Sequence, residues 1–197
     1  MLTHLRPALT LTLGFTLLTG LAYPLAMTGI AQALFPAAAN GSLILQGDAV
    51  IGSTLIGQGF AAPGYLHPRP SASGWNAAGT GASNLGPTSA MLIAQVAERR
   101  AAWEAENGAA APIDAVTTSG SGLDPDISPE TALAQADRIA ADRAVDPAAI
   151  RTLIEAQIQA PTLGLYGEPR VNVLITNLAL DAAFPLPPAA EEGAATE

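Results

Sequence analysis

The sequence predicts an α+β protein: a single N-terminal transmembrane helix followed by one soluble domain with a small β-sheet and about three helices. Three observations carry that reading. No Asp, Glu, Lys or Arg lies between Arg6 and Asp48, and residues 9–35 of that interval are strongly apolar. After residue 40, short β-prone runs alternate loosely with segments of helical periodicity. Residues 57–87 are dense in Gly, Pro, Ser and Asn and keep no periodicity; so long a structureless run is uncommon in a compact domain unless it is functional.

The transmembrane helix is placed at residues 8–35. At 1.5 Å rise per residue the apolar run is about 40 Å long, enough to cross a hydrocarbon core of ~30 Å with tilt. Such a helix satisfies its own backbone hydrogen bonds in lipid. The rival reading is a cleaved signal peptide, for which Ala31-Gln32-Ala33 and Ala37-Ala38-Ala39 offer cleavage-like sites. A signal peptide has a shorter apolar stretch, about 7–15 residues, and a more positive start than Arg6 alone provides. The absence of Cys excludes a lipid anchor on cysteine. Pro24 removes one helical hydrogen bond and predicts a kink. Gly14, Gly20, Ala26 and Gly29 either admit a neighbouring helix or face lipid. The flank at residues 1–7 holds His4 and Arg6, and the next Lys or Arg is Arg69. The positive-inside rule then leaves the flank in the cytoplasm and the domain outside, in the periplasm of a bacterium with the span in its inner membrane.

The soluble domain is placed at residues 40–184, with a disordered acidic tail at 185–197 that is rich in Pro, Ala and Glu. All eight basic residues are Arg. With Arg6 set aside, the other seven face 17 acids, a net charge of −10. That balance argues against nucleic acid and anionic lipid as partners. Residues 42–45 and 53–56 read as strands around a Gln46-Gly47-Asp48 turn. Residues 88–106 read as a helix between Pro87 and Gly108, and 113–118 as a strand. Ser128, Pro129 and Glu130 form a helix start that runs to about residue 144. Asp146-Pro147 repeats the device, with Ile150, Leu153, Ile154 and Ile158 on one face. Residues 171–178 read as a strand with Val171, Val173 and Ile175 on one side.

Several chemistries are excluded. A phosphate-binding Walker loop needs a lysine, and the chain has none. Two His and no Cys give no zinc site. Neither Ser119 nor Ser121 has the Gly two residues before it that a G-x-S-x-G hydrolase elbow needs, which leaves a Ser/His/Asp set on His67 disfavoured. Asp124, Asp126, Ser128 and Glu130 alternate like a Ca²⁺ loop, but Pro129 occupies the position that needs Gly. No catalytic residue and no metal ligand are assigned.

Three blocks then carry a resemblance. GSTLIGQGF (52–60) with RPSA (69–72) and SNLGP (83–87), VTTSGSGLDPDISPE (116–130), and GEPRVNVLITNLALD (167–181) occur in this order. Together with the N-terminal span they resemble the small C subunit of the bacterial Kdp potassium-transporting P-type ATPase. Asp126 stands where that family often has His, and Leu66-His67-Pro68 replaces a more aromatic approach to the RPS block. The resemblance implies a non-catalytic accessory subunit of a high-affinity potassium importer. In that family a B subunit hydrolyses ATP through a phosphorylated Asp and an A subunit conducts K⁺. This chain lacks both the D-K-T-G-T motif and a TVGYG-like filter. The implied role is to stabilise the assembly and, as a catalytic chaperone, to raise the ATP affinity of the B subunit. No tightly bound cofactor is implied; ATP would act through the complex, and K⁺ is its cargo.

Two groups of residues are candidate contacts. Ser119, Gly120, Ser121 and Gly122 can form a nest of backbone N–H groups for a nucleotide or other anion, or a tight turn that needs Gly at positive φ. Arg69, Ser71, Asn84, Glu168 and Arg170 are candidate partner contacts; for the arginines the rival is an ion pair within the domain. Composition alone would equally suit a free-standing, membrane-anchored binding domain.

Overall fold

The computed structural model describes residues 2–187, so most of the tail expected to be disordered lies outside the described residues. The chain divides into two compact units, Met1–Ser53 and Thr54–Glu197.

In the first unit an apolar helix runs from Leu5 to Leu34, long and apolar enough to cross a membrane. It is built of α1 (Leu5–Leu17), a π-helical turn (Leu18–Ala22) and α2 (Tyr23–Leu34). The wide turn ends two residues before Pro24. Proline has no N–H for the carbonyl four residues back and its ring crowds that carbonyl. The local answer is a five-residue bond, from the Tyr23 N–H to the Leu18 carbonyl. Thr10, Thr19 and Thr28 donate their hydroxyls to the carbonyls of Arg6, Phe15 and Pro24, so none presents a bare donor to lipid. A short helix α3 (Pro36–Ala39) and an antiparallel hairpin, β1 (Leu43–Gln46) with β2 (Ala49–Ser53), complete the unit. The second strand starts four residues before its expected position, because Gly47 at φ +61° closes a two-residue turn that pairs Gln46 with Ala49.

The second unit packs helices against a three-stranded antiparallel sheet of order β3-β5-β4, formed by Asp126–Ile127, Arg170–Asn172 and Ile158–Gln159. Its core joins Leu66, Ile127, Ile139, Ile150, Ile154, Val171 and Leu180, all essentially removed from water. The helices expected at 88–106, from 129 and from 147 are present as α4 (Ala90–Asn107), α6 and α7 (Pro129–Ala134 and Ala136–Arg143), and α8 (Pro147–Ala156). The caps are those the sequence offers: the Ser128 hydroxyl accepts from the Thr131 N–H, and the Asp146 carboxylate from the Ala148 N–H.

Two strand assignments are corrected. The segment expected as a strand at 113–118 is one helical turn, α5 (Ile113–Val116). Pro112 before it suits a helix start, and Asp114 in its first turn turns away to bind the N-terminus of α6. The segment 171–178 is a strand only to Asn172; α9 (Val173–Ala183) follows at once. The alternation of Val171, Val173 and Ile175 mimicked a strand, but the buried set is Val173, Leu174, Thr176, Asn177 and Leu180, a helical face. The Asn172 side chain caps α9 by accepting from the Ile175 N–H at 3.1 Å.

Candidate functional site

The irregular segment after Thr54 is held by partners distant in sequence. The RPS block and the SGSGLD block are zipped together. The Ser119 N–H donates to the Pro70 carbonyl at 2.9 Å, and the Ser71 hydroxyl to the Gly122 carbonyl at 2.7 Å. Thr80 and Gly81 both donate to the Ser121 carbonyl. Gly122 has φ +72°, and a Cβ there would meet Ser73 Oγ at 2.4 Å and the Gly81 carbonyl at 2.8 Å. Gly57 is equally constrained, since its Cβ would lie 2.4 Å from the Asp124 carbonyl oxygen. These glycines are required by close backbone approach.

Within the turn, the Gly122 and Leu123 N–H groups donate at 3.0 Å to the hydroxyls of Ser119 and Ser121, and the Asp124 N–H to Ser119 Oγ at 3.3 Å. Of the four amides of the expected nest, that of Gly122 is thus directed at Ser119 Oγ and that of Ser119 at the Pro70 carbonyl. Ser119, Gly120 and Ser121 border an open cleft of about 580 Å³, and Asp124 supplies its one charged side chain.

A second open cleft, also about 580 Å³, lies beside the β4–β5 hairpin and gathers Arg69, Arg170 and Glu168 with Asp114, Asp124, Asp126 and Glu130. Both arginines are held inside the domain, Arg69 by Asp124 at 2.9 Å and Arg170 by Asp126 at 3.0 Å. Burial raises the Asp126 carboxyl above the ordinary aspartate range although Arg170 opposes it. Asn84 is exposed, at φ +52°, and its side chain donates to the carbonyl of its neighbour Ala82. Among the described residues no group of three His, Cys, Asp or Glu is placed to hold a metal ion.

The sequence reading missed the polar cluster beneath this surface. Asn177, fully buried on α9, accepts from the Leu66 N–H at 2.8 Å and donates to the Leu66 carbonyl at 3.1 Å. Gln135, between α6 and α7, does the same for His67 at 2.7 and 3.2 Å. Two carboxamides thus replace the neighbouring strands that an extended segment would otherwise need. Arg143, buried on α7, donates to the carbonyls of Gly64 and Phe184 and to Asp181 at 2.9 Å, with its guanidinium 5.0 Å over the Tyr65 ring. His67 Nδ1 lies 3.1 Å from Glu106, and its Nε2 is 3.4 Å from the Arg138 guanidinium and 3.1 Å from the Ala62 carbonyl. The available signal was a polar residue inside an apolar helical run, as in LITNLAL.

The family model for the K⁺-transporting ATPase c chain matches residues 5–182. The chain is 68% identical to the potassium-transporting ATPase KdpC subunit of Cereibacter sphaeroides strain KD131, over 93% of this chain and 99% of the relative. It is 58% identical to that of Caulobacter vibrioides strain NA1000, over 94% and 96%. Identity to the KdpC subunit of Methylobacterium nodulans is 55%, over 92% and 98%.

Proposed function

The chain belongs to the family of the K⁺-transporting ATPase c chain, a subunit of the Kdp potassium pump, and from that membership we propose that it does no chemistry itself but stabilises the pump and raises the ATP affinity of its hydrolysing subunit. The carrying observation is the family match across residues 5–182, which takes in both the apolar helix and the domain. Its partners are the ATP-hydrolysing B subunit and the K⁺-conducting A subunit. The absence of lysine supports a role apart from phosphoryl transfer, whose phosphate loops and phosphorylation motif need one.

The domain lies on the outer face of the inner membrane by the charge of the span's flanks, away from cytoplasmic ATP. Its effect on nucleotide affinity is therefore a coupling free energy carried by contacts between subunits. Of the candidate contacts, Asn84 and Glu168 are exposed and available to a partner, whereas Arg69, Ser71 and Arg170 serve the domain's own structure.

The test is to grow the source cells with scarce K⁺, tag this chain, solubilise gently and identify what co-purifies. A P-type ATPase and a large multispan protein in fixed ratio are expected, and removing this chain should raise the KM for ATP. A chain that arrives alone and intact would overturn the reading in favour of a free-standing binding domain.

A further inference from the structure

We propose that the tip of the β4–β5 hairpin, Leu163, Leu165 and Tyr166, is an anchor that docks into another protein subunit of the pump, one offering an apolar pocket with basic side chains beside it. The proposal rests on the accessory-subunit reading above and names the part of this chain that engages the assembly.

The tip is apolar and turned to water. Leu163 is 85% exposed, Leu165 82% and Tyr166 68%. It is also tightly built. Thr162 and Tyr166 exchange both backbone hydrogen bonds at 2.9 and 3.0 Å, and the Gly164 N–H donates to the Pro161 carbonyl at 2.9 Å. Leu163 and Gly164 both lie in the left-handed region, at φ +56° and +71°. Glycine or asparagine would fit the first of these positions with less strain. A leucine there carries backbone strain and exposed apolar surface together. Strain of this kind persists where it serves a contact. The stem is fixed, since Val171 is in the core and Ile158 packs against it. The anchor is therefore presented pre-formed, which lowers the ordering cost of docking.

The surroundings describe the partner. In the adjoining cleft Arg69 and Arg170 are engaged by Asp124 and Asp126, while Glu130 and Glu168 have no cation among the described residues. Ile113, 81% exposed, borders the same cleft. An apolar tip beside uncompensated negative charge complements an apolar pocket flanked by Arg or Lys. It does not complement an anionic lipid surface, and residues 152–169 contain no Lys or Arg that could hold one.

The chain has no Cys, so L165C and Y166C each provide one attachment point for a thiol-reactive benzophenone in the intact complex. E104C, exposed on α4, is the control. Illumination should join this chain to another pump subunit from 165 or 166, at least threefold more than from 104. The adducts should map to an apolar patch with Arg or Lys next to it. Adducts to lipid alone, no adduct, equal yield from 104, or a patch without basic side chains would overturn the proposal. If the parent chain purifies with no pump subunit, the functional reading itself has failed, an outcome distinct from a complex that forms without contact at the tip.

Discussion

His67 is the residue whose chemistry most directly links the irregular segment to the helices around it. Its ring meets Glu106 from α4, Arg138 from α7 and the Ala62 carbonyl from its own segment. In the neutral ring with Nδ1–H donating to Glu106, Nε2 accepts from the Arg138 guanidinium; only protonation of Nε2 would let it donate to the Ala62 carbonyl. Burial first, and then the Arg138 charge, hold the His67 pKa below the ordinary imidazole value of 6.5, outweighing the opposite pull of the Ala62 carbonyl and then Glu106. The unfolded chain therefore binds more protons than the folded domain in that window, and stability rises with pH there. Stability should be full above about pH 6.5 and fall as the pH drops from there through the depressed folded value. Urea unfolding of the parent and of H67Q between pH 7.5 and 5 checks this. The parent should lose stability on acidification with a steeper slope than H67Q. Equal slopes, or a parent stabilised by acid, would show that the Glu106 ion pair dominates instead.

At the scale of elements, the segment between β2 and α4 behaves as a strand without a sheet, with Asn177 and Gln135 acting as its neighbours. N177A should leave the N–H and carbonyl of Leu66 buried and unpaired, at a cost of about 2–4 kcal/mol. Limited proteolysis within residues 57–87 should begin well before global unfolding in that variant, whereas a loss below about 1 kcal/mol would mean the segment is held by its apolar contacts alone. These elements also mark where sequence reading succeeds. Helix starts were legible at Ser128 and Asp146, because a cap and the proline after it are local signals confined to two or three residues. The strand expected at 171–178 failed because β-branched residues at every second position fit the first turns of an apolar helix as well as a strand, and only Asn172 marks the change. The clamps were illegible because each unites residues roughly 70 to 110 apart in the chain, which no periodicity encodes.

For the whole molecule, the family could be read from a few motif blocks, because those blocks are where backbone meets backbone: Gly57 and Gly122 leave no room for a Cβ, and the RPS segment bonds to Ser119 through the Pro70 carbonyl. The surface that meets partners was less legible. For Arg69 and Arg170 the ion pair within the domain, weighed in the sequence against a partner contact, is what forms, while nothing in the sequence marked the leucines of the 162–166 turn as exposed. Topology is the remaining large-scale question, and it decides how ATP affinity can be affected at all. Arg6 before the span, and the lack of any Lys or Arg after it until Arg69, favour an outward domain; the many acids of the domain weigh little in this rule. The cysteine-free background makes the test direct. A membrane-impermeant maleimide should label E104C on intact spheroplasts, and T3C, in the N-terminal flank, only after the membrane is opened. That pattern leaves coupling through the partner subunits as the route to the nucleotide. The reverse pattern would place the Ser119–Ser121 cleft on the side of ATP. A nucleotide there would face the Asp124 carboxylate, and of the nest's amides those of Ser119 and Gly122 are already bonded, to the Pro70 carbonyl and Ser119 Oγ.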